Sequence, residues 1–210
     1  MDPEFWHARW AANEIGFHEG EPNTLLVSHF DTLALPRGSR VFVPLCGKTR
    51  DIHWLLSQGV QVVGVELSEL AVSQLFEDLS LEPRIETHGA LKHYAAKGID
   101  IFAGDIFHLD PATLGTVDAI YDRAALVALP EAMRSDYRSH LQSLCPGAAQ
   151  LLLTLEYEKG LIPGPPFSIP TEDVHAHFGD AYDIRPLDSR YSAKGLKDAY
   201  PVTERAWHLR

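Results

Sequence analysis

The sequence lacks the features that mark several large classes of protein. It has only two cysteines in 210 residues, Cys46 and Cys145, so no disulfide framework can be inferred and a reducing compartment is the simpler context. No apolar run is long enough to span a bilayer, and the N-terminus has no basic segment followed by an apolar one. We therefore expect a cytoplasmic protein without a membrane partner.

Positive charge is scarce as well. Lys and Arg together number 18 against 29 Asp and Glu, the formal net charge is -11, and no cluster of basic residues stands out. Binding to nucleic acid needs clustered cations that neutralise phosphates. We therefore expect no nucleic-acid partner.

Histidine is plentiful, but its spacing does not match a metal site. The 11 histidines include no HxxxH or HExxH pattern, and no CxxC pattern accompanies them. His175 and His177 are two apart in a segment with a helical pattern, so their side chains would point to different faces. The sequence predicts no metal site.

What the sequence does contain is an alternation of short apolar runs and helical patterns. Runs of consecutive apolar residues predict strands that are buried on both faces, as in a parallel sheet. Their alternation with helices favours a doubly wound α/β fold. The predicted strands are Arg40–Pro44, Gln61–Glu66, Ile99–Ala103, Val117–Tyr121 and Gln150–Leu155, and the predicted helices are Thr49–Ser57, Ser68–Glu77 and Pro130–Leu144.

The two ends of the chain depart from this alternation. Helices are predicted at Pro3–Ala12 and Pro22–Leu33, with each proline in the first turn, so residues 1–35 form an expected helical cover. Two more strands, around Tyr182–Leu187 and Thr203–Leu209, would follow the fifth and complete a mainly parallel sheet of seven. We expect residues 1–210 to form a single domain.

A nucleotide site is predicted where the first two strands end. Gly47 lies in the turn after the first strand, and Glu66 ends the second strand about 20 residues later, a spacing that suits an acidic contact to ribose hydroxyls. Neither GxGxxG nor GxxxxGK[ST] is present, so the phosphate cradles of NAD and ATP are missing. S-adenosylmethionine (SAM) has a ribose but no phosphate, and this favours SAM. The alternative is a loop glycine beside a solvated glutamate.

A second part of this site is predicted after the third strand candidate, at Gly104–Phe107. Asp105 would lie near the exocyclic amine of an adenine, with Ile106 and Phe107 against the ring. The alternative is a polar turn that precedes a core phenylalanine.

The sequence resembles the thiopurine S-methyltransferases over nearly its whole length. Five stretches carry the resemblance: Trp6–Trp10 with Phe17 and His18, Val41–Lys48, Val62–Leu70, Asp118–Leu129 and Pro163–Phe167. The combination of PLCGK with YDRAALVA is the most specific part. The resemblance implies a Rossmann-like class I methyltransferase fold, SAM as cofactor, and a small thiol or thiopurine substrate. Bacterial members are also associated with methylation of selenium and tellurium species.

The resemblance also implies roles for individual residues. The family positions that contact SAM correspond to Trp10, Leu45, Glu66 and Arg123, and Gly47 is expected to belong to the same site. Ile106 and Phe107 match the pair that flanks the adenine. Phe17 and Arg190 match substrate-side positions, and Pro165 and Phe167 belong to a stiff loop expected to form a pocket wall. For Trp10, simple packing of the first helix onto the core is an equal alternative.

Asp122 and Arg123 directly follow a predicted strand, at the edge of the sheet where such folds bind ligands. We expect them to be the catalytic pair. Arg123 stays charged, so it would stabilise an acceptor thiolate or bind the SAM carboxylate, and an exposed ion pair is the remaining alternative. Rival interpretations are an O- or N-methyltransferase of the same fold and a non-catalytic SAM- or NAD-binding regulatory protein. We expect a monomer.

Overall fold

A single mixed sheet of nine strands runs through the computed structural model, which describes residues 2–123 and 125–210. The strand order is β3-β4-β5-β2-β1-β6-β7-β9-β8. The strands are β1 Arg40–Pro44, β2 Gln61–Glu66, β3 Arg84–His88, β4 Leu91–Ala96, β5 Ile99–Ala103, β6 Ala119–Asp122, β7 Ala149–Glu156, β8 Ile184–Leu196 and β9 Tyr200–Leu209.

Helices cover both faces of this sheet, as the predicted doubly wound α/β class requires. They are α1 Pro3–Ala11, α2 Thr24–His29, α3 Arg50–Ser57, α4 Glu69–Asp78, α5 Pro111–Leu114, α6 Ala125–Ala128, α7 Glu131–Leu144 and α8 Thr171–Phe178. One buried core includes side chains of α2, α3 and α4, and the other includes side chains of α6, α7 and α8. Among these described helices, none combines the length and apolar character needed to cross a bilayer.

The five central strands, β5-β2-β1-β6-β7, are all parallel. Their sequences are apolar at consecutive positions because both faces are covered, which β1 and β2 show by being buried at nearly every residue. Strands β9 and β8 continue the sheet in antiparallel pairing after β7. The two strands predicted in the C-terminal segment are therefore present. Strand β8 continues beyond Leu187 to Leu196, and β9 starts at Tyr200, before the predicted Thr203.

The expected number of seven strands was too low, because the sheet has nine. The additional pair is an antiparallel hairpin, β3 and β4, that joins the sheet beside β5. All five residues of β3 are exposed, so no core-facing apolar alternation marks this strand in the sequence. The hairpin changes the count and leaves the fold class as predicted.

Polar side chains fix where the helices begin. The side chains of Thr49, Ser68 and Asn23 accept hydrogen bonds from the first turns of α3, α4 and α2. Pro3 lies in the first turn of α1, as expected. The prediction for Pro22 was wrong, because Asn23 caps α2, which starts at Thr24 and passes into a 3-10 turn over Phe30–Leu33.

Candidate active site

A cavity of about 770 Å³ opens at the carboxyl ends of the central strands. Its walls come from the N-terminal segment, from the loops after β1, β2, β6 and β7, and from β8 and β9. The residues predicted from the sequence that line it are Trp10, Phe17, Leu45, Gly47, Glu66, Arg123, Pro165 and Arg190. A smaller recess of about 20 Å³ shares Leu45 with the cavity, and Asp105, Ile106 and Phe107 line it.

The Glu66 carboxylate is held by backbone amides at the end of β2. One oxygen accepts a hydrogen bond from Gly47 N at 2.8 Å and the other accepts one from Ser68 N at 2.8 Å. Burial raises the pKa of Glu66, and these backbone hydrogen bonds limit the rise. Each carboxylate oxygen can accept a second bond, so the group keeps capacity for two hydroxyl donors such as those of a ribose.

The turn after β1 has a left-handed backbone at two positions and is tightly packed at Gly47. Leu45 and Gly47 both have positive φ, 48° and 52°. A Cβ on Gly47 would lie 3.2 Å from the indole of Trp10, which is 4% exposed. Trp10 therefore packs directly on the turn, and it also lines the cavity.

The recess beside the turn has an acidic side chain and apolar side chains in its lining. The Asp105 side chain caps the short 3-10 turn Ile106–His108 by accepting from Phe107 N at 3.1 Å. Ile106 is 4% exposed and belongs to the core, while Phe107 packs against His140 with ring centroids 5.3 Å apart. The stretch is thus a polar turn with Ile106 in the core and Phe107 partly buried, and it lines the recess.

Arg123 lies in a network of acidic groups at the cavity wall. Its guanidinium is 2.8 Å from Glu19 and 3.7 Å from the fully buried Asp51, and the side chain is 17% exposed. Burial opposes the charged form, yet the neighbouring acidic groups, including Asp51 and Glu19, raise the pKa of Arg123. The arginine is therefore a fixed cation, partly neutralised by carboxylates from two different segments.

Asp122 differs from Arg123, because its carboxylate is 0% exposed and lies beneath the site. It accepts hydrogen bonds from Tyr137 Oη at 2.6 Å and from the amides of Ala125 and Leu126 at 3.2 and 3.4 Å. Among the described residues, the linings of the cavity and the recess do not include it. Its contacts fix the end of β6 to the start of α6, and so they support the backbone next to Arg123.

Stability should depend on pH through this buried carboxylate. Burial raises the pKa of Asp122 to about 6, from 3.8 in an exposed chain. The folded state then retains a proton that the unfolded state loses, so this residue's contribution to stability falls as pH rises from about 4 to 6 and is constant above that range. Asp122→Asn has no such titration. We expect the free energy of unfolding of the variant minus that of the wild type to increase by about 2–3 kcal/mol over this range.

Urea unfolding of both proteins between pH 4 and 7 measures this difference. Because every other titrating group is present in both proteins, their contributions cancel in the subtraction. A difference that stays constant across the range would contradict the raised pKa.

The predicted substrate-side residues have different surroundings. Phe17 is 44% exposed and meets the edges of Trp6 and Trp10 at 5.7 and 5.6 Å between ring centroids. Arg190 lines the cavity while it binds Asp188 at 3.4 Å and donates to Thr24 Oγ1 and Ser28 Oγ on α2. It therefore ties β8 to the second helix.

The proline-rich loop contributes one of its two predicted residues to the cavity lining. Pro165 lines the cavity, whereas the ring of Phe167 lies under the guanidinium of Arg134, 5.8 Å from it. The loop is fixed by Tyr157 Oη, which donates to the Pro166 carbonyl at 2.7 Å, and by Phe167 N, which donates to the Val127 carbonyl at 2.6 Å. These bonds make the loop an ordered wall.

Several functional candidates were missed because they are charged residues from distant segments. Three carboxylates lie around Arg123, those of Glu19, Asp51 and Glu204. Asn23 links two of them, because its backbone N–H donates to Asp51 at 2.6 Å and its side-chain amide donates to Glu204 at 2.9 Å. Burial raises the pKa of Glu204. Only Glu19 had a usable signal, since it directly follows the matched Phe17 and His18.

Solved structures with this fold are SAM-dependent methyltransferases. The 1,6-didemethyltoxoflavin-N1-methyltransferase of Burkholderia thailandensis, solved with its substrate and S-adenosylhomocysteine, superposes with a TM-score of 0.68 at 15% identity, over 99% of this chain and 86% of that one. The magnesium protoporphyrin IX methyltransferase of Synechocystis, with bound SAH, gives 0.62 at 17% identity over the full length of both. The fold is therefore the Rossmann-like fold of SAM-dependent methyltransferases, and its second strand ends in an acidic residue.

Sequence relatives narrow this class to one family. The family model of thiopurine S-methyltransferase (TPMT) matches residues 1–203. The thiopurine S-methyltransferase of Xanthobacter autotrophicus is 51% identical over 210 residues, covering 100% of this chain and 99% of the relative. That of Teredinibacter turnerae is 50% identical over 209 residues, covering 100% and 97%. The chain belongs to the thiopurine S-methyltransferase family, and it is a SAM-dependent transferase.

Proposed function

We propose that this protein transfers the methyl group of SAM to the sulfur of a thiopurine or another aromatic or heterocyclic thiol. The observation that carries the proposal is the placement of Arg123 in the same cavity as Glu66 and Phe17. A fixed cation there suits an acceptor that reacts as a thiolate, and an exposed aromatic ring suits a flat heterocycle.

The residues fit SAM on three counts. Glu66 has free acceptor capacity, the turn at Gly47 has a positive φ and is tightly packed against Trp10, and Asp105 with Phe107 lines an adjoining recess. When bound, SAM supplies a methyl group already activated by its sulfonium. Glu66 would then bind the ribose hydroxyls, and Ile106 and Phe107 would flank the adenine.

On the acceptor side, the protein has mainly to hold a thiolate and align it. Arg123 would stabilise the negative charge on sulfur before the new carbon–sulfur bond forms, and Asp122 would act as a positioning residue from beneath. Alignment of two bound reactants contributes several kcal/mol by itself, and a heterocyclic thiol ionises readily. A dedicated general base is therefore unnecessary, and substrate contacts fall to Phe17, Arg190 and Pro165, with Phe167 supporting the loop.

The test is transfer of labelled methyl from SAM to 6-mercaptopurine, with selenite, tellurite, a catechol and a primary amine as parallel acceptors. We expect turnover on the thiopurine. Selenite or tellurite turnover beside it would extend the proposal to those species. Turnover on the catechol or amine alone would replace it with O- or N-methylation. Binding of SAM or NAD with no transfer to any acceptor would favour the non-catalytic alternative.

We also propose that residues 1–210 act as one methyltransferase domain in the cytoplasm, as a monomer, with residues 1–35 as a cover over the cofactor. The proposed cover is supported by α1, because Trp10 on this helix packs on the turn after β1 that contains Gly47. Sedimentation equilibrium of the purified chain measures the oligomeric state, and a dimer at micromolar concentration would contradict this part of the proposal.

A further inference from the structure

A cluster of two histidines and a carboxylate lies on the hairpin at the edge of the sheet, away from the cavity lining. Glu86 on β3 is the cross-strand partner of His93 on β4, and His88 follows Glu86 by two residues on the same face. His88 is therefore the diagonal neighbour of His93. One potential ligand atom from each of the three side chains lies within 4.8 Å of the other two.

The surroundings of His93 orient its ring. His93 Nε2 is 2.8 Å from a carboxylate oxygen of Asp100 on the neighbouring β5, and the ring stacks on Phe102 with centroids 4.6 Å apart and planes 15° apart. A carboxylate bound to one imidazole nitrogen is the usual outer partner of a metal-binding histidine, because it fixes the tautomer and leaves the other nitrogen as a ligand.

The other two side chains have the freedom to close on an ion. The side chain of His88 is 44% exposed and that of Glu86 is 45% exposed. Arg84 binds one oxygen of Glu86 at 2.5 Å, and the other oxygen lies 3.9 Å from His88 Nε2. Tetrahedral bonds of about 2.0–2.2 Å place ligand atoms about 3.3–3.6 Å apart, so the ligand atoms would have to move closer by about 1 Å, and these two exposed side chains are free to rotate.

We propose that Glu86, His88 and His93 form a binding site for a divalent cation of the Zn²⁺ type. Two imidazoles and one carboxylate are the ligands that such a borderline-soft ion prefers, with water in the fourth position, whereas Mg²⁺ and Ca²⁺ prefer oxygen ligands throughout. The ion would cross-link β3 to β4. It would thereby stabilise an exposed edge strand that has no buried side chain to hold it.

This site contrasts with the sequence-based prediction of no metal site. The prediction tested spacing along the chain, as in HxxxH, whereas these ligands come from two strands and meet only through the antiparallel register. Linear spacing carries no signal for such a set.

The test uses the full chain without an affinity tag, cleared of metal with a chelator and titrated with Zn²⁺ alone at pH 7.5. Calorimetry should show one Zn²⁺ per chain with micromolar or tighter affinity, and Tm should rise with Zn²⁺ because the ion binds the folded state. Mg²⁺ and Ca²⁺ should not compete.

Substitutions of the three proposed ligands test whether the ion binds at this cluster. His88→Gln, His93→Gln and Glu86→Gln should each weaken Zn²⁺ binding at least tenfold, while His175→Gln, an exposed histidine on α8, should bind as the wild type does. His88 is exposed, so its variant keeps the test interpretable if His93→Gln disturbs the hairpin. The proposal is overturned if no stoichiometric binding is found, or if binding survives both histidine substitutions.

Discussion

Replacing Glu66 with alanine is expected to weaken SAM binding about 100-fold or more. SAM would lose the hydrogen bonds that two ribose hydroxyls donate to the carboxylate. Hydrogen bonds to a charged group contribute about 1.5–3 kcal/mol each. The substitution also releases Gly47 N and Ser68 N, which hold the cofactor turn in shape. Calorimetric titration with SAM measures the loss, after circular dichroism has established that the variant is folded.

The matched control is Glu69→Gln, three residues further along the chain. The Glu69 carboxylate binds Lys92 and Tyr94 on the neighbouring hairpin strand. The variant should bind SAM as the wild type does. A folded Glu66→Ala protein with unchanged SAM affinity would remove the ribose contact from the proposal.

Replacing Arg123 with lysine is expected to lower kcat/KM for the thiol acceptor about 100-fold, with SAM affinity changed less than threefold. Loss of a preorganised donor to a developing or preformed anion costs about 3–4 kcal/mol in comparable sites, and lysine retains part of the charge. Lysine cannot reproduce the planar fork that meets Glu19 and Thr49 on separate nitrogens. Arg123→Met should lose more activity than Arg123→Lys.

Steady-state kinetics and SAM titration on the same preparations separate the two roles of this arginine. Arg138→Lys on α7, whose arginine pairs with Asp180, is the control and should retain wild-type kinetics. A parallel loss of SAM affinity and activity in Arg123→Lys would assign the guanidinium to the SAM carboxylate. Full activity would exclude both roles.

The parallel centre of the fold was predictable because burial leaves a direct mark on sequence. Strands β1 and β2 begin and end at the predicted residues, since a strand covered on both faces must be apolar throughout. Two of the predicted helices start where expected, and the structure shows that Thr49 and Ser68 cap them. The hairpin β3-β4 left no such mark, because β3 packs no side chain into the core.

The site residues that lie at the ends of strands were predictable from the sequence, whereas those that reach the site from distant segments were not. Gly47, Glu66 and Arg123 each follow or end a strand, so the topology brings them to one edge of the sheet. Asp51 and Glu204 reach Arg123 from α3 and β9, and no local sequence pattern predicts that these residues lie close together. The polar character of Asp122 could be read from sequence, but its complete burial under Tyr137 could not.

The contact between Trp10 and Gly47 has a consequence for the time course of catalysis. Under the proposed function, the indole lies against the turn that would receive the cofactor, so the first helix would border the site that SAM enters and S-adenosylhomocysteine leaves. The same N-terminal segment contributes Glu19, which pairs with Arg123, so a thiolate that binds Arg123 as proposed would compete with a carboxylate of the protein itself. Product departure and acceptor arrival would then both involve the N-terminal segment that contains Trp10 and Glu19. We expect Glu19→Gln, which removes that carboxylate, to alter the turnover rate more than the affinity for SAM, and steady-state kinetics with SAM titration measures both.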